Sequence, residues 1–233
     1  MTQRLILEQV QSGALSALDA YARIAARDAP APPPQAQEVG TPTAALPASA
    51  IAIIGMSGRF PGAPGLDEFW RLLAEGRSAI TEVPARRWNA EELYHADSSV
   101  RGRSYARRGG FVDGIDEFDA RFFRINPREA LFLDPQQRVF MQECWRAFEH
   151  AGYSDRELAG SRCGVFVGCK SADYQLRLAS QDTASFDATD SHLFGGNDVS
   201  MLPARIAYFL DLRGPALPIN TACSSSLVAL HIA

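Results

Sequence analysis

The sequence predicts an α/β layered fold with a mainly parallel sheet, and three observations carry that prediction. Short apolar runs, IAIIGM, CGVFVGC and PALPI, recur between residues 51 and 219. Longer segments with apolar residues at helical spacing separate them. At 233 residues and 46% hydrophobic, the chain is long enough to bury a core and to hold one or two domains.

Residues 1–27 read as a small helical hairpin. Leu5, Ile6 and Val10, then Leu15, Leu18, Tyr21 and Ile24, fall at helical spacing, Ser16 fits as an N-cap and Asp19 falls at its third helical position. So small a unit must bury its apolar stripe against something, which makes it a linker or docking element. Residues 28–50 are rich in Pro and Ala and poor in large apolar side chains, so they act as a semi-extended linker. From Ile51 the character changes, and 51–233 is read as one further domain.

In that domain IAIIGM is the first expected strand, with Gly55 and Gly58 serving a tight turn after it. LDEFWRLLAEG is a helix with Leu66, Phe69, Trp70, Leu72 and Leu73 toward a core and Gly76 ending it. Residues 83–110 lack a regular pattern and end in VRGRSYARRGG, where Arg101, Arg103, Arg107 and Arg108 form either a solvated loop or a patch that attracts an acidic partner. FVDGIDEFDARFFRI is turn-like. Two helices follow, with Pro127 and Pro135 in their first turns and Asn126 and Asp134 as caps. CGVFVGC is a strand, DVSMLPARIAYFLDLRG a helix, and PALPI the last extended run. Phe118, Phe122, Phe123, Phe132, Phe140, Trp145 and Phe148 fit packing better than a cofactor pocket.

The net charge of −4 and pI near 5.6 oppose a broad basic face for nucleic acid. No apolar run approaches the roughly 18 residues of a membrane span, and the N-terminus lacks the apolar core of a secretory signal. The expected location is cytoplasmic, with no membrane and no nucleic-acid partner. The four cysteines, Cys144, Cys163, Cys169 and Cys223, form no C-x-x-C pair and have no His at ligand spacing, so the expectation is free thiols and no metal site, and Gly195-Gly196-Asn197 lacks the spacing of a nucleotide-binding loop, so no directly bound cofactor is expected.

Cys223 is the chemical candidate. It lies between the apolar run PALPI and the helical pattern LVALHIA, flanked by Thr221-Ala222 and Ser224-Ser225-Ser226. A strand–turn–helix elbow would present its thiol at a helix start, where unpaired N–H groups favour a thiolate and bind an oxyanion. The residues alone equally allow a buried cysteine acting as a small hydrophobe.

Three separated motifs resemble one family. NDVSMLPARIAYFLDLRGPALPINTACSSSLVALHIA resembles the segment around the active-site cysteine of β-ketoacyl synthase domains of modular type I polyketide synthases. AIIGMSGRFPGA, LDEFWRLLAEG and SAITEVPARRW are similar to the start of that domain, and FFRINPREALFLDPQQRVFMQECWRAFEHAGY to its early signature. ARIAYF with GPALPI leans toward the branch whose acyltransferase is a separate protein. LILEQVQSGALSALDAYARI resembles segments that precede such domains.

The resemblance implies a thiolase-like fold, of which this is the N-terminal half. It also implies an acyltransferase of the 3-oxoacyl synthase type, acting in polyketide chain extension. Cys223 would take an acyl chain from the phosphopantetheine of an acyl carrier protein; a malonyl unit on a second carrier would then lose CO2 and attack the thioester. A homodimer is implied for the complete domain. Family members carry Asp three residues before the cysteine, where this chain has Asn220, and two catalytic histidines well beyond it. His95, His150, His192 and His231 do not stand in those places, so the expectation is a fragment that ends just after its nucleophile and does not itself condense. The alternatives are a non-condensing, acyl-holding ketosynthase-like domain and a non-catalytic docking or dimerisation fragment.

Overall fold

The computed structural model of this chain describes residues 50–170, 173–180 and 191–233, so the expected hairpin at 1–27 and the linker as far as residue 49 lie outside the described residues. The first apolar run is extended but is not the strand its composition predicts. Ile51, Ile53 and Ile54 are exposed and have no ladder partner among the described residues. The run sits on the end of a helix instead: a Cβ on Gly55 would collide with Ala147 O and Ala151, and the Met56 N–H donates to His150 Nδ1 at 3.1 Å. Gly55 therefore serves close approach, and neither it nor Gly58 has the positive φ of the expected turn.

Helix α1, Leu66–Ala74, starts with Asp67 and Glu68 at its positive end and stops before Gly76, which takes φ +63. Only Leu72 of its expected core face is buried, while Phe69 stacks on Phe60 at 3.9 Å and Trp70 stays exposed. Residues 83–110 are more regular than their polar pattern predicts. Strands β1, Ile80–Glu82, and β2, Arg108–Gly110, pair antiparallel around the short helix α2, Ala90–Leu93, capped by Asn89. The arginine cluster staples this excursion: Arg107 pairs with Glu91 and covers Tyr94, Arg103 donates to the Glu92 carbonyl, and Arg108 donates to Ile80 O at 3.0 Å.

Helices α3, Pro127–Phe132, and α4, Pro135–His150, start where Asn126 and Asp134 accept from the N–H groups of Arg128 and Gln136, as the cap-proline pattern predicts. Helix α5, Asp155–Leu158, begins with a Ser154–Glu157 capping box. Strand β3, Val165–Gly168, is joined through α6, Tyr174–Ser180, α7, Ser191–Asn197, and α8, Met201–Phe209, to strand β4, Ala216–Ile219. The two strands pair parallel, Val165 opposite Ala216 and Gly168 opposite Ile219, so the α/β crossover expected from the pattern is present. Last come a tight 3-10 turn at Ala222–Ser224 and helix α9, Ser225–Ile232.

Burial follows this layering. Val165, Ile206, Leu210 and Leu212 form a core between β3 and α8, with Cys144, Trp145 and Phe148 of α4 against it. Phe123, Ile125, Leu133 and Met141 form a second cluster, edged by Phe118, Trp145 and Phe209. Within it Phe122 meets Trp145 and Phe123 edge-on at 4.9 Å, so these aromatics do pack as expected. Arg205 ties α8 to the helices around it, bonding Gln137 and Glu129 at 2.6 Å and Gly195 O at 3.0 Å.

Candidate active site

Parallel pairing brings the C-terminal ends of β3 and β4 to one place, the end of a sheet at which α/β proteins present chemistry. From Ile219 the chain passes Asn220 and Thr221, turns at Ala222 with φ +56, and delivers Cys223 on the 3-10 turn directly before α9. A left-handed conformation at a residue with a Cβ is strained and persists only where the surroundings hold it. Here they do: Asn220 Oδ1 accepts the Ala222 N–H at 3.2 Å, Ser225 Oγ donates to Ala222 O at 2.7 Å and accepts the Thr221 N–H at 2.9 Å, and Ser224 Oγ donates to Thr221 O at 2.8 Å.

Behind the turn stands Gly168, the last residue of β3. A Cβ there would lie 2.6 Å from Ser226 N and 2.7 Å from Ser225 C, so only glycine lets the first turn of α9 rest on the strand. Gly168 also lines a cavity of about 540 Å³ with Phe111, Val139, Phe140, Val167 and Leu202, and with Arg59 and Glu143 at its polar side. Cys223 is not among the residues that line it.

The four free cysteines separate cleanly by environment. Burial pushes the Cys144 thiol up to about 12, with the nearby Glu143 and Cys163 adding to it, and burial also raises Cys163 and Cys169. Those three pack around β3 and α4. Cys223 alone of the four is exposed in this structure. Its Sγ makes no hydrogen bond among the described residues. His150 Nδ1 accepts the Met56 N–H and His95 Nδ1 the Asp97 N–H, both at 3.1 Å. The left-handed turn at Ala222, the Ser225 hydroxyl that bonds it and the close approach of Gly168 are the parts of the elbow that the sequence does not mark, beyond the small residues around Cys223.

Residues 48–233 match the family described as Beta-ketoacyl synthase, N-terminal domain. This chain belongs to the β-ketoacyl synthase family. Among relatives, polyketide synthase ThaG of Burkholderia thailandensis is 45% identical over 189 residues, 81% of this chain and 3% of that protein. PksL of Bacillus subtilis is 46% identical over 187 residues, 80% of this chain and 4% of that protein. Of solved structures, the ketosynthase from module 6 of the bacillaene synthase from Bacillus subtilis 168 is 42% identical with a TM-score of 0.65, covering 78% of this chain and 28% of that one. The oxazolomycin ketosynthase domain OzmH KS7 of Streptomyces albus JA3453 is 39% identical with a TM-score of 0.68, covering 78% and 31%. The fold is thus the N-terminal part of a thiolase-like ketosynthase of polyketide synthases, and the chain spans only a small share of the relatives it matches. Cys223 and its elbow fall inside the ketosynthase match.

Among the described residues no cluster of His, Cys, Asp and Glu could hold a metal ion, and no helix is long and apolar enough to cross a membrane.

Proposed function

We propose that Cys223 is the acyl-accepting nucleophile of a ketosynthase that extends polyketide chains. The observation that carries this reading is the exposed thiol at the head of α9, on a strained turn between a parallel strand and that helix. In the first half-reaction the Cys223 sulfur attacks the carbonyl carbon of an acyl thioester on a carrier protein's phosphopantetheine. A new S–C bond forms, the old C–S bond breaks, and the proton leaves with the phosphopantetheine thiol. The N–H of Cys223 itself contributes to holding the oxyanion. In the second half-reaction a malonyl thioester loses CO2 and its enolate carbon attacks the Cys223 thioester, releasing the Cys223 sulfur and lengthening the chain by two carbons. That step needs acid–base groups in addition to the thiol.

The same reading makes acyl carrier proteins the partners, a homodimer the assembly, the cytoplasm the location and the separate-acyltransferase branch the pathway type, with no cofactor bound directly. Residues 1–27 are then a linker or docking element and 28–50 a linker to the ketosynthase segment.

The test is acylation of the chain by an acyl-N-acetylcysteamine thioester, followed by peptide mass spectrometry. The mass gain belongs on the Cys223 peptide and is absent from Cys223→Ala. Acylation spread over several cysteines, or retained in that variant, overturns the assignment.

One observation favours a docking role in addition. Leu227 and Leu230 on one side of α9 are exposed, and apolar side chains of this kind form a surface that either a partner or another part of a ketosynthase covers. Charged replacements at Leu227 and Leu230 that improve solubility without lowering acylation support it; loss of the fold in those variants rejects it.

A further inference from the structure

We infer that Ser225 is the positioning residue of the elbow: its buried hydroxyl holds Ala222 in the left-handed conformation and so fixes where the Cys223 sulfur stands. This rests on the reading of Cys223 as acyl acceptor.

Each backbone polar group of Thr221 and Ala222 meets a side chain, the Thr221 carbonyl accepting the Ser224 N–H and the Ala222 carbonyl the Ser225 N–H as well. Ser225 Oγ holds the Thr221 N–H at 2.9 Å and the Ala222 carbonyl at 2.7 Å, Asn220 Oδ1 holds the Ala222 N–H at 3.2 Å, and Ser224 Oγ holds the Thr221 carbonyl at 2.8 Å. Asn220 and Ser224 are exposed, so water competes for their bonds. Ser225 is 8% exposed and spans the turn, accepting on one side of the peptide that links residues 221 and 222 and donating on the other. A hydroxyl is the group that does both at once. Gly168 closes the space behind, with its would-be Cβ 2.7 Å from Ser225 C, so the serine backbone cannot retreat toward the strand.

Ala222 is the residue that needs holding, because φ +56 is unfavourable for any residue with a Cβ. Without the clamp it relaxes toward negative φ, and Cys223, the next residue, turns away from the helix start. Glycine at 222 removes that need, since glycine enters the left-handed region freely. A role limited to filling space or satisfying buried groups would gain nothing from glycine at 222. This difference separates positioning from simple structural support.

The experiment is a double-variant cycle on the complete chain, Ser225→Ala, Ala222→Gly and the two combined, read as the rate of Cys223 acylation by acyl-N-acetylcysteamine. Ser225→Ala is expected to slow acylation by about tenfold in the parent background and by less than about threefold when residue 222 is glycine. An unchanged rate in Ser225→Ala, or an equal loss in both backgrounds, overturns the inference. If Ser225→Ala alone does not fold, the combined variant decides: acylation within about threefold of Ala222→Gly supports the clamp, and failure of the combined variant to fold overturns it. Should the parent chain not acylate at Cys223, the nucleophile reading fails separately. The same cycle is then read by iodoacetamide alkylation of Cys223, where the same pattern supports the clamp and its absence overturns it.

Discussion

Gly168→Ala tests whether the strand end sets the position of the nucleophile. The added Cβ would meet Ser226 N at 2.6 Å, Ser225 C at 2.7 Å and Ser226 Cα at 2.8 Å, where ordinary contact begins at 3.4 Å. All three atoms are backbone, so no side chain can swing aside, and the first turn of α9 must retreat by about 0.8 Å. Overpacking of this kind costs about 1–3 kcal/mol of stability. Because Cys223 lies two residues before Ser225, the retreat carries the thiol with it. A displacement near 1 Å at a reacting group lowers rate by up to about 100-fold, so acylation should fall by roughly 10- to 100-fold. The assays are urea unfolding followed by far-UV circular dichroism and the rate of Cys223 acylation by mass spectrometry. Gly195→Ala is the control: its would-be Cβ meets nothing closer than Arg205 NH2 at 3.7 Å, inside helix α7, and alanine is favoured over glycine there. A Gly168→Ala chain with parent stability and an acylation rate within about threefold of the parent refutes the close-packing argument.

Three further outcomes follow from the same contacts. Burial is the main cause that raises the Asp134 carboxyl above its usual 3.8, against hydrogen bonds from Gln136 that lower it; the folded chain therefore holds that proton more tightly than the unfolded one, and stability from this group declines as pH rises from 3.8 through the raised value. Asp134→Asn keeps the cap acceptor and should flatten that part of the pH–stability curve, whereas Asp134→Ala loses about 1 kcal/mol of capping; identical pH curves for parent and Asn variant count against the assignment. Arg59 and Glu143, with side chains 11% and 14% exposed and 2.9 Å apart, form a largely buried pair, so Glu143→Ala should destabilise by roughly 3 kcal/mol in urea unfolding, and a loss below about 1 kcal/mol would contradict its burial. Iodoacetamide at pH 8 should label Cys223 first, since a thiol pushed up to about 12, as Cys144 is, holds only on the order of 1 in 10,000 as thiolate at that pH; equal early labelling of Cys144 rules this out.

The elements legible in the sequence were those whose determinants are local. Asn126-Pro127 and Asp134-Pro135 mark helix starts by the dihedral of proline and the acceptor of the cap, and both helices begin there. CGVFVGC is a short apolar run rich in β-forming residues, PALPI is an apolar extended run with two prolines, and the two pair. The misread elements depend on distant partners. Arg108-Gly109-Gly110 has no apolar alternation and is a strand only because Ile80–Glu82 runs beside it. IAIIGM has every local mark of a strand, yet Gly55 seats it against Ala147 and Ala151 on α4, and it has no strand neighbour among the described residues. Composition reports the tendency to pair; the ladder requires an edge.

The site divides in the same way. A cysteine among small residues between an apolar run and a helix is visible in the sequence, and the structure places it exposed at the head of α9. The left-handed Ala222, the Ser225 hydroxyl and the glycine at the end of β3 act only once strand and helix have met, so residue type alone could not reveal them. Asn220 shows how far a side chain's identity matters there. Its Oδ1 accepts the Ala222 N–H, the bond that a carboxylate oxygen of the aspartate expected by resemblance would equally accept. The amide therefore keeps the hold on the turn and removes only a negative charge from beside the cysteine. The departure from aspartate therefore leaves the geometry of the elbow in place.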